Sequence, residues 1–312
     1  MKTNQVLMTA LIAIAVLAGC KKEESGGVVV PAANPDQSVL GQLFTNNVAN
    51  ARQYFTVNAA SGGQVIGTKG TKLNFGPGTF LLADGTPVTG QVDVSLVEVL
   101  SIGDMIWLNK QTVGNDNGTL KLLRSGGAIN VSAAQSGSPL RITQGGLVVR
   151  IPTDVGDAAM MLFSGNETTS GSMIWNPIDS SSVTVDPGYI DPSYYFTADS
   201  LQWINCDYFY SYPSTTDLTS TIPAGQSTDS TQVWVAFPSE NAVMQMNHTT
   251  AQSYSSWQVV PVGMQAVVIG LQQSSGGYNS SFTTVTISAS MNVPMVFAPT
   301  TLAQFQANVN AL

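Results

Sequence analysis

The chain carries one histidine, His248, within Met244-Gln245-Met246-Asn247-His248. On a strand, alternate side chains share a face. Two thioethers and an imidazole would then align, and soft ligands of that kind select Cu(I). Two core methionines leading into a turn account for the same residues; that reading is preferred, and no metal is expected. A Ser-His-Asp triad would have to use His248, and no Gly-x-Ser-x-Gly elbow accompanies it. A zinc site of several histidines is impossible. With 19 Asp and Glu residues, hydrolysis by two carboxylates is formally open. None of them sits in a recognisable glycosidase motif, so neither a catalytic residue nor an enzyme is expected, and no cofactor.

Oxygen-rich loops are a second class of site. Asp179, Asp186 and Asp191 share one Pro/Gly loop, and Asn115-Asp116-Asn117-Gly118 forms another acidic turn. Either could offer oxygen ligands to Ca²⁺, but EF-hand spacing is missing and Asp and Asn are favoured in turns anyway. Cys206 lies in Trp203-Ile204-Asn205-Cys206-Asp207, with no cationic neighbour in sequence to make it reactive. A buried, inert thiol is expected. Residues 189–212 are dense in aromatics: Tyr189, Tyr194, Tyr195, Phe196, Trp203, Tyr208, Phe209, Tyr210 and Tyr212. Phe196, Trp203 and Phe209 fit a core. Tyr208, Tyr210 and Tyr212 alternate onto one face, where apolar rings with polar tips could stack on a sugar or a protein partner.

The N-terminus carries covalent chemistry. Lys2 precedes an uncharged apolar run from Val6 to Leu17, too short to span a bilayer, which takes roughly 20 residues, but suited to a secretory signal. Leu17-Ala18-Gly19-Cys20 resembles the bacterial lipobox, which implies diacylglycerol on Cys20 and cleavage before it. One acyl chain holds a protein only reversibly, at about 0.8 kcal/mol per buried methylene; the two or three chains of such lipoproteins would hold it permanently. Lys21-Lys22-Glu23-Glu24 resembles the export signal of Bacteroidetes surface lipoproteins, which implies an outer-membrane protein facing the cell exterior. A solvated charged spacer is the alternative. The Gly-, Pro-, Ala-, Val- and Ser-rich stretch to Gln37 reads as a tether.

The elements that follow are a short helix and then strands. Val39, Leu40, Leu43, Phe44 and Val48 recur at helical spacing, which predicts a helix over 38–52. Gln91-Val92-Asp93-Val94-Ser95-Leu96-Val97-Glu98-Val99 alternates with period two, which predicts Val92, Val94 and Leu96 inward and Asp93, Ser95 and Glu98 outward. Further strands are predicted over 120–123, 127–133, 147–151, 158–163 and 172–175, then Gln232 to Phe237, Ala266 to Leu271 and Phe282 to Ile287. Short strands at this spacing indicate sandwiches or barrels. Thr300 or Thr301 could cap a last helix with Leu302, Phe305 and Val309 on one face.

Residues 61–80, with Gly90-Gln91-Val92-Asp93-Val94, Gly103-Asp104-Met105-Ile106 and Leu123-Arg124-Ser125-Gly126-Gly127, resemble a ZU5-like β-sandwich domain of Bacteroidetes lipoproteins over roughly 53–176. The Phe75-Gly76-Pro77-Gly78 loop departs from that pattern. The resemblance implies a role in protein interaction and supplies no catalytic residues. The expected organisation is all-β: signal peptide 1–19, lipidated tether 20–37, helix 38–52, ZU5-like sandwich 53–176, linker 177–193, and a second sandwich over 194–312 ending in a helix.

Charged residues are only 10% of the 312, with a net charge of −8, against a usual fraction of about 25%. Beyond Lys21-Lys22 no basic cluster exists, which excludes a nucleic-acid footprint. The expected partners are the membrane, through Cys20, and an unidentified protein or glycan. Three roles are open: interaction, adhesion or scaffold module; glycan-binding accessory; carboxylate-dependent hydrolase. Asp229-Ser230-Thr231 and Asp199-Ser200-Leu201 resemble Bacteroidetes O-glycosylation acceptors, with Ser230 expected to be more accessible than Ser200.

Overall fold

The computed structural model describes residues 38–153, 156–168, 172–178, 183–186, 192–256 and 260–312. The signal segment, Cys20, Lys21, Lys22, Glu23, Glu24, the tether, Asp179, Asp191 and Tyr189 lie outside the described residues. The fold is mostly β-strand, with three α-helices among the described residues: α1 (Ser38–Ala51), α2 (Ile102–Trp107) and α3 (Leu302–Val309). None is long and apolar enough to cross a membrane.

Two pairs of sheets carry the architecture. In the first pair, an eight-stranded sheet runs in the order Gln53–Asn58, Gln91–Val99, Thr119–Gln135, Trp203–Phe209, Met161–Glu167, Met173–Pro177 and Val113–Asp116, with a two-residue strand beside Thr119–Gln135. A five-stranded sheet covers one face, in the order Thr184–Asp186, Ser193–Ala198, Leu147–Pro152, Lys72–Phe75 and Gly63–Ile66. Val92, Val94, Leu96 and Ile129 meet Leu73, Val149, Ile151 and Phe196 between them. In the second pair, a five-stranded sheet built around Thr231–Phe237 and Gln265–Ser274 packs on a four-stranded one through Val233, Val235, Val268, Leu218, Tyr254 and Val293.

A third core lies between the two pairs. The outer face of the eight-stranded sheet (Val97, Val99, Leu123, Phe163, Trp175, Trp203) and that of the second five-stranded sheet (Trp234, Ala236, Ile269, Leu271) close on the three helices. α1 contributes Leu40 and Phe44, α2 Met105 and Ile106, and α3 Phe305 and Val309. The Trp234 ring lies 5.8 Å from Phe44 and 6.3 Å from Phe305. Each large apolar side chain buried here is worth about 1.5–3 kcal/mol. Thr301 caps α3 by accepting from the Gln304 N–H at 3.1 Å. Ser101 and Asp104 form a capping box on α2, a helix not predicted from the sequence.

The structure corrects two expectations. Alternation in Gln91–Val99 holds through Val94 and then stops, every later residue being buried. Ser95 and Glu98 do not point outward: Ser95 Oγ lies 2.7 Å from Ser132 Oγ, and the Glu98 carboxylate accepts from the Lys69 N–H at 3.0 Å, the Thr71 N–H at 3.0 Å and Gln53 Nε2 at 2.9 Å. A sheet covered on both faces has no outward side. Second, the boundary falls later than 177–193. Thr184–Asp186 and Ser193–Ala198 complete the first small sheet, and Trp203–Phe209 pairs with Thr119–Gln135 and Met161–Glu167 inside the large one. Phe196 accordingly packs the first core, and Trp203 and Phe209 the middle one.

Candidate functional site

Tyr208, Tyr210 and Tyr212 form a ladder, with ring centroids 5.8 Å and then 4.7 Å apart and planes tilted 52° and 43°. The period-two spacing produces it, continuing the face of the Trp203–Phe209 strand beyond its end. Tyr210 is exposed, at 38% of its surface, and its two neighbours are half-buried. The ladder is tied to the fold at Tyr208, which pairs in register with Arg124 of the neighbouring strand. Arg124 and Asp157 lie beside the Tyr208 hydroxyl, and burial pushes its pKa up.

Arg124 gathers acidic groups from two further segments. Its Nη1 lies 4.0 Å from Asp157 Oδ2 and its Nε 3.7 Å from Glu240 Oε2. Asp157 is positioned from both sides: its backbone N–H donates to the Tyr194 hydroxyl at 2.9 Å, and its Oδ1 accepts from the Ala159 N–H at 2.9 Å. Glu240 sits in the turn Pro238–Glu240 after the Thr231–Phe237 strand. Burial pushes its carboxyl up, and Arg124 and Ser239 offset part of that. The next residue, Asn241, is left-handed (φ 46°). Its amide donates to the carbonyls of Leu100 and Ser125, both at 3.1 Å, and so bolts the turn onto the first pair of sheets.

Beside Arg124 a cleft of about 810 Å³ opens between the two halves, lined among others by Lys69, Asp104, Arg124, Thr153, Ser239 and Asn241. Lys69 and Asp104 form an ion pair. Each of the three carboxylates at the site therefore lies against a cation. Such an arrangement suits the holding of polar ligands more than acid–base work, which needs a carboxyl free to give or take a proton.

Behind the site, Asp207 is fully buried beside Asn205. Desolvation pushes its carboxyl up to about 8, while Ser125, Asn205 and the Gly126 N–H pull it down in part. Cys206, between them, is buried and its thiol pushed up, as its apolar surroundings predict.

The other candidates are not brought together. Met244 and Met246 are core residues. The strand carrying Met244 ends at Gln245, and His248 belongs to a strand of the facing sheet, its ring 6.2 Å from Tyr254. The single-strand alternation that would align a copper site is absent. The Asn115–Gly118 turn closes on itself, the Gly118 N–H donating to Asn115 Oδ1 at 2.8 Å and Asp116 pairing with Lys121. Among the described residues no group of three His, Cys, Asp or Glu could hold a metal. Exposure also reverses the order of the two acceptor serines: Ser200 is exposed, while Ser230 is half-buried in a short helical turn.

Arg124, Asp157 and Glu240 were missed by sequence reasoning because they meet from three distant segments. The only local signal was a lone Arg in the apolar stretch Leu122-Leu123-Arg124. No protein-family model matches the chain, and no curated protein matches it significantly.

Proposed function

We propose that this chain is a lipid-anchored envelope protein, displayed on the outer face of the outer membrane, that works without catalysis as an interaction, adhesion or scaffold module. The tyrosine ladder carries the reading. Three aromatic rings share one side of the fold, the middle one open to solvent, and tyrosine offers large contact area with little entropy to lose. The lipobox-like Leu17-Ala18-Gly19-Cys20, the Lys21-Lys22-Glu23-Glu24 signal and the ZU5-like stretches support the location and the class.

The test uses the full lipidated chain on cells of its native host. Tyr210→Ala should lower attachment to isolated envelope and extracellular-matrix fractions about tenfold, the loss of a ring worth roughly 1–2 kcal/mol. Equal attachment by both forms would remove the ladder from the reading. Cys20→Ala should abolish labelling by a fatty-acid probe, and persistent labelling would refute the anchor. A glycan-binding accessory is the second reading, favoured by the hydrogen-bonding groups that adjoin the rings.

A further inference from the structure

Three polar atoms at the ladder's inner end are buried without a hydrogen-bond partner: Arg124 Nε, Glu240 Oε2 and the Tyr212 hydroxyl. Such atoms are rare in folded proteins, and each calls for a reason. The Glu240 side chain is only 9% exposed, and Arg124 Nε lies 3.7 Å from its Oε2, too far for a hydrogen bond. Tyr212 is close enough for Glu240 and Arg124 to influence its hydroxyl, which burial keeps protonated. Arg124 also lines the cleft, which gives a ligand a way to this cluster.

Donor and acceptor types narrow the ligand. Arg124 Nε can only donate and an ionised Glu240 can only accept. A single oxygen between them, hydrogen-bonded to both, must therefore accept and donate at once. Hydroxyls do this; ionised carboxylates and fully ionised phosphates cannot donate, and ammonium groups cannot accept. An amide does both only through two separate atoms, whereas a single hydroxyl oxygen can serve both groups at once. Charge balance agrees, since Lys69 and Arg124 face Asp104, Asp157 and Glu240, an excess of negative charge that repels anions. The cleft is also within the usual size range of ligand sites, and the exposed Tyr210 ring is a platform for the apolar face of a sugar.

We infer that the Arg124–Glu240–Tyr212 cluster at the edge of this cleft binds a neutral oligosaccharide, a hydroxyl bridging Arg124 and Glu240 near the Tyr212 hydroxyl and one sugar ring on Tyr210, whose ring centroid lies 4.7 Å from that of Tyr212. This rests on the tyrosine-face reading above and gives its partner a chemical class. In the free protein the bridging position belongs to water or to none, and the ligand hydroxyl replaces it.

The experiment titrates the full chain, in detergent, with short neutral gluco-, manno- and xylo-oligosaccharides, with an acidic oligogalacturonate and with a neutral peptide, following heat of binding. At least one neutral series should bind, and the acid and the peptide should not. Tyr212→Phe and Glu240→Gln should each weaken binding about tenfold, the usual effect of losing one bond to a buried polar group. Tyr212→Phe should leave the melting temperature unchanged or raise it by about 2 °C, because it removes a hydroxyl that has no partner. Preference for the acid or the peptide, or neutral binding indifferent to both variants, would overturn the inference. So would a lower melting temperature in Tyr212→Phe with no change in binding, the mark of a hydroxyl that only holds a structural water. If no oligosaccharide binds while Tyr210→Ala still loses envelope attachment, this inference fails and the interaction reading survives.

Discussion

Asp207→Asn should flatten the pH dependence of stability. Asp207 is fully buried and its carboxyl is pushed from 3.8 up to about 8. Its nearest contact is Asn205, 2.5 Å from Oδ2, while the remaining oxygens of both side chains, Asp207 Oδ1 and Asn205 Oδ1, have no partner. The sign follows from the proton balance. Between pH 4 and 8 the folded chain holds a proton that the unfolded chain has lost. Stability is therefore complete below the unfolded pKa and falls as pH rises towards the folded one, by about 1.4 kcal/mol per unit.

From pH 4.5 to pH 7.5 that loss is about 4 kcal/mol, a large part of the 5–15 kcal/mol typical of a folded protein. The variant replaces the acid with an amide of the same shape and has nothing to titrate. Urea unfolding, followed through the buried Trp175 and Trp234, would be measured for both proteins across this range. Other groups titrate equally in the two, so the difference between the curves isolates Asp207. It should grow by about 4 kcal/mol in favour of the variant as pH rises. Curves that stay parallel to within about 1 kcal/mol would refute a protonated, buried Asp207.

Gly126→Ala should destabilise by about 2–3 kcal/mol, because the new methyl would stand 2.3 Å from Tyr194 Cε2 and 2.8 Å from the Cys206 carbonyl; a melting curve within 2 °C of wild type would contradict this. Glu98→Ala should cost about 3 kcal/mol or more, since the Lys69 and Thr71 N–H groups lose their acceptor, and hydrogen exchange should quicken first at those two amides. If the chain is O-glycosylated, exposure now puts Ser200 ahead of Ser230: Ser200→Ala should remove added mass from protein of the native host, and loss only in Ser230→Ala would reverse the order.

Local period carried the sequence reading as far as local period governs the fold. The tyrosine ladder was legible because residues two apart on a strand share a face whatever else surrounds them. The helices at both ends were legible from apolar spacing and, for α3, from its threonine cap. Alternation misled at Ser95 because it presumes one wet face, and the middle layer covers the second; Glu98 shares the inner face of Val94 and Leu96, where the turn carrying Lys69 and Thr71 covers it. Glu98 looks like a surface residue in sequence; inside, it answers three donors. The boundary was misjudged because Tyr208 pairs with Arg124, 84 positions earlier, and no local pattern announces such a partner. Arg124, Asp157 and Glu240 escaped for the same reason. Each is unremarkable in its own segment, and the site exists only where three segments meet.

The middle layer bears on how the anchor would hold the molecule. Described structure begins at Ser38, the first residue of α1. Through Leu40 and Phe44 that helix packs among side chains of both halves, Val97 and Trp175 on one side and Trp234 and Ile269 on the other. A tether running back to Cys20 would therefore join the fold at its shared core, not at one end of a string of two domains. The cleft is bounded by the same arrangement: Ser101 and Asp104 of its lining cap α2, Asn310 ends α3, and Ser239 and Asn241 come from the second half. Its width depends on the packing of the helices that hold the halves together. Trimming Phe44 to alanine would remove about 3–5 kcal/mol of that packing.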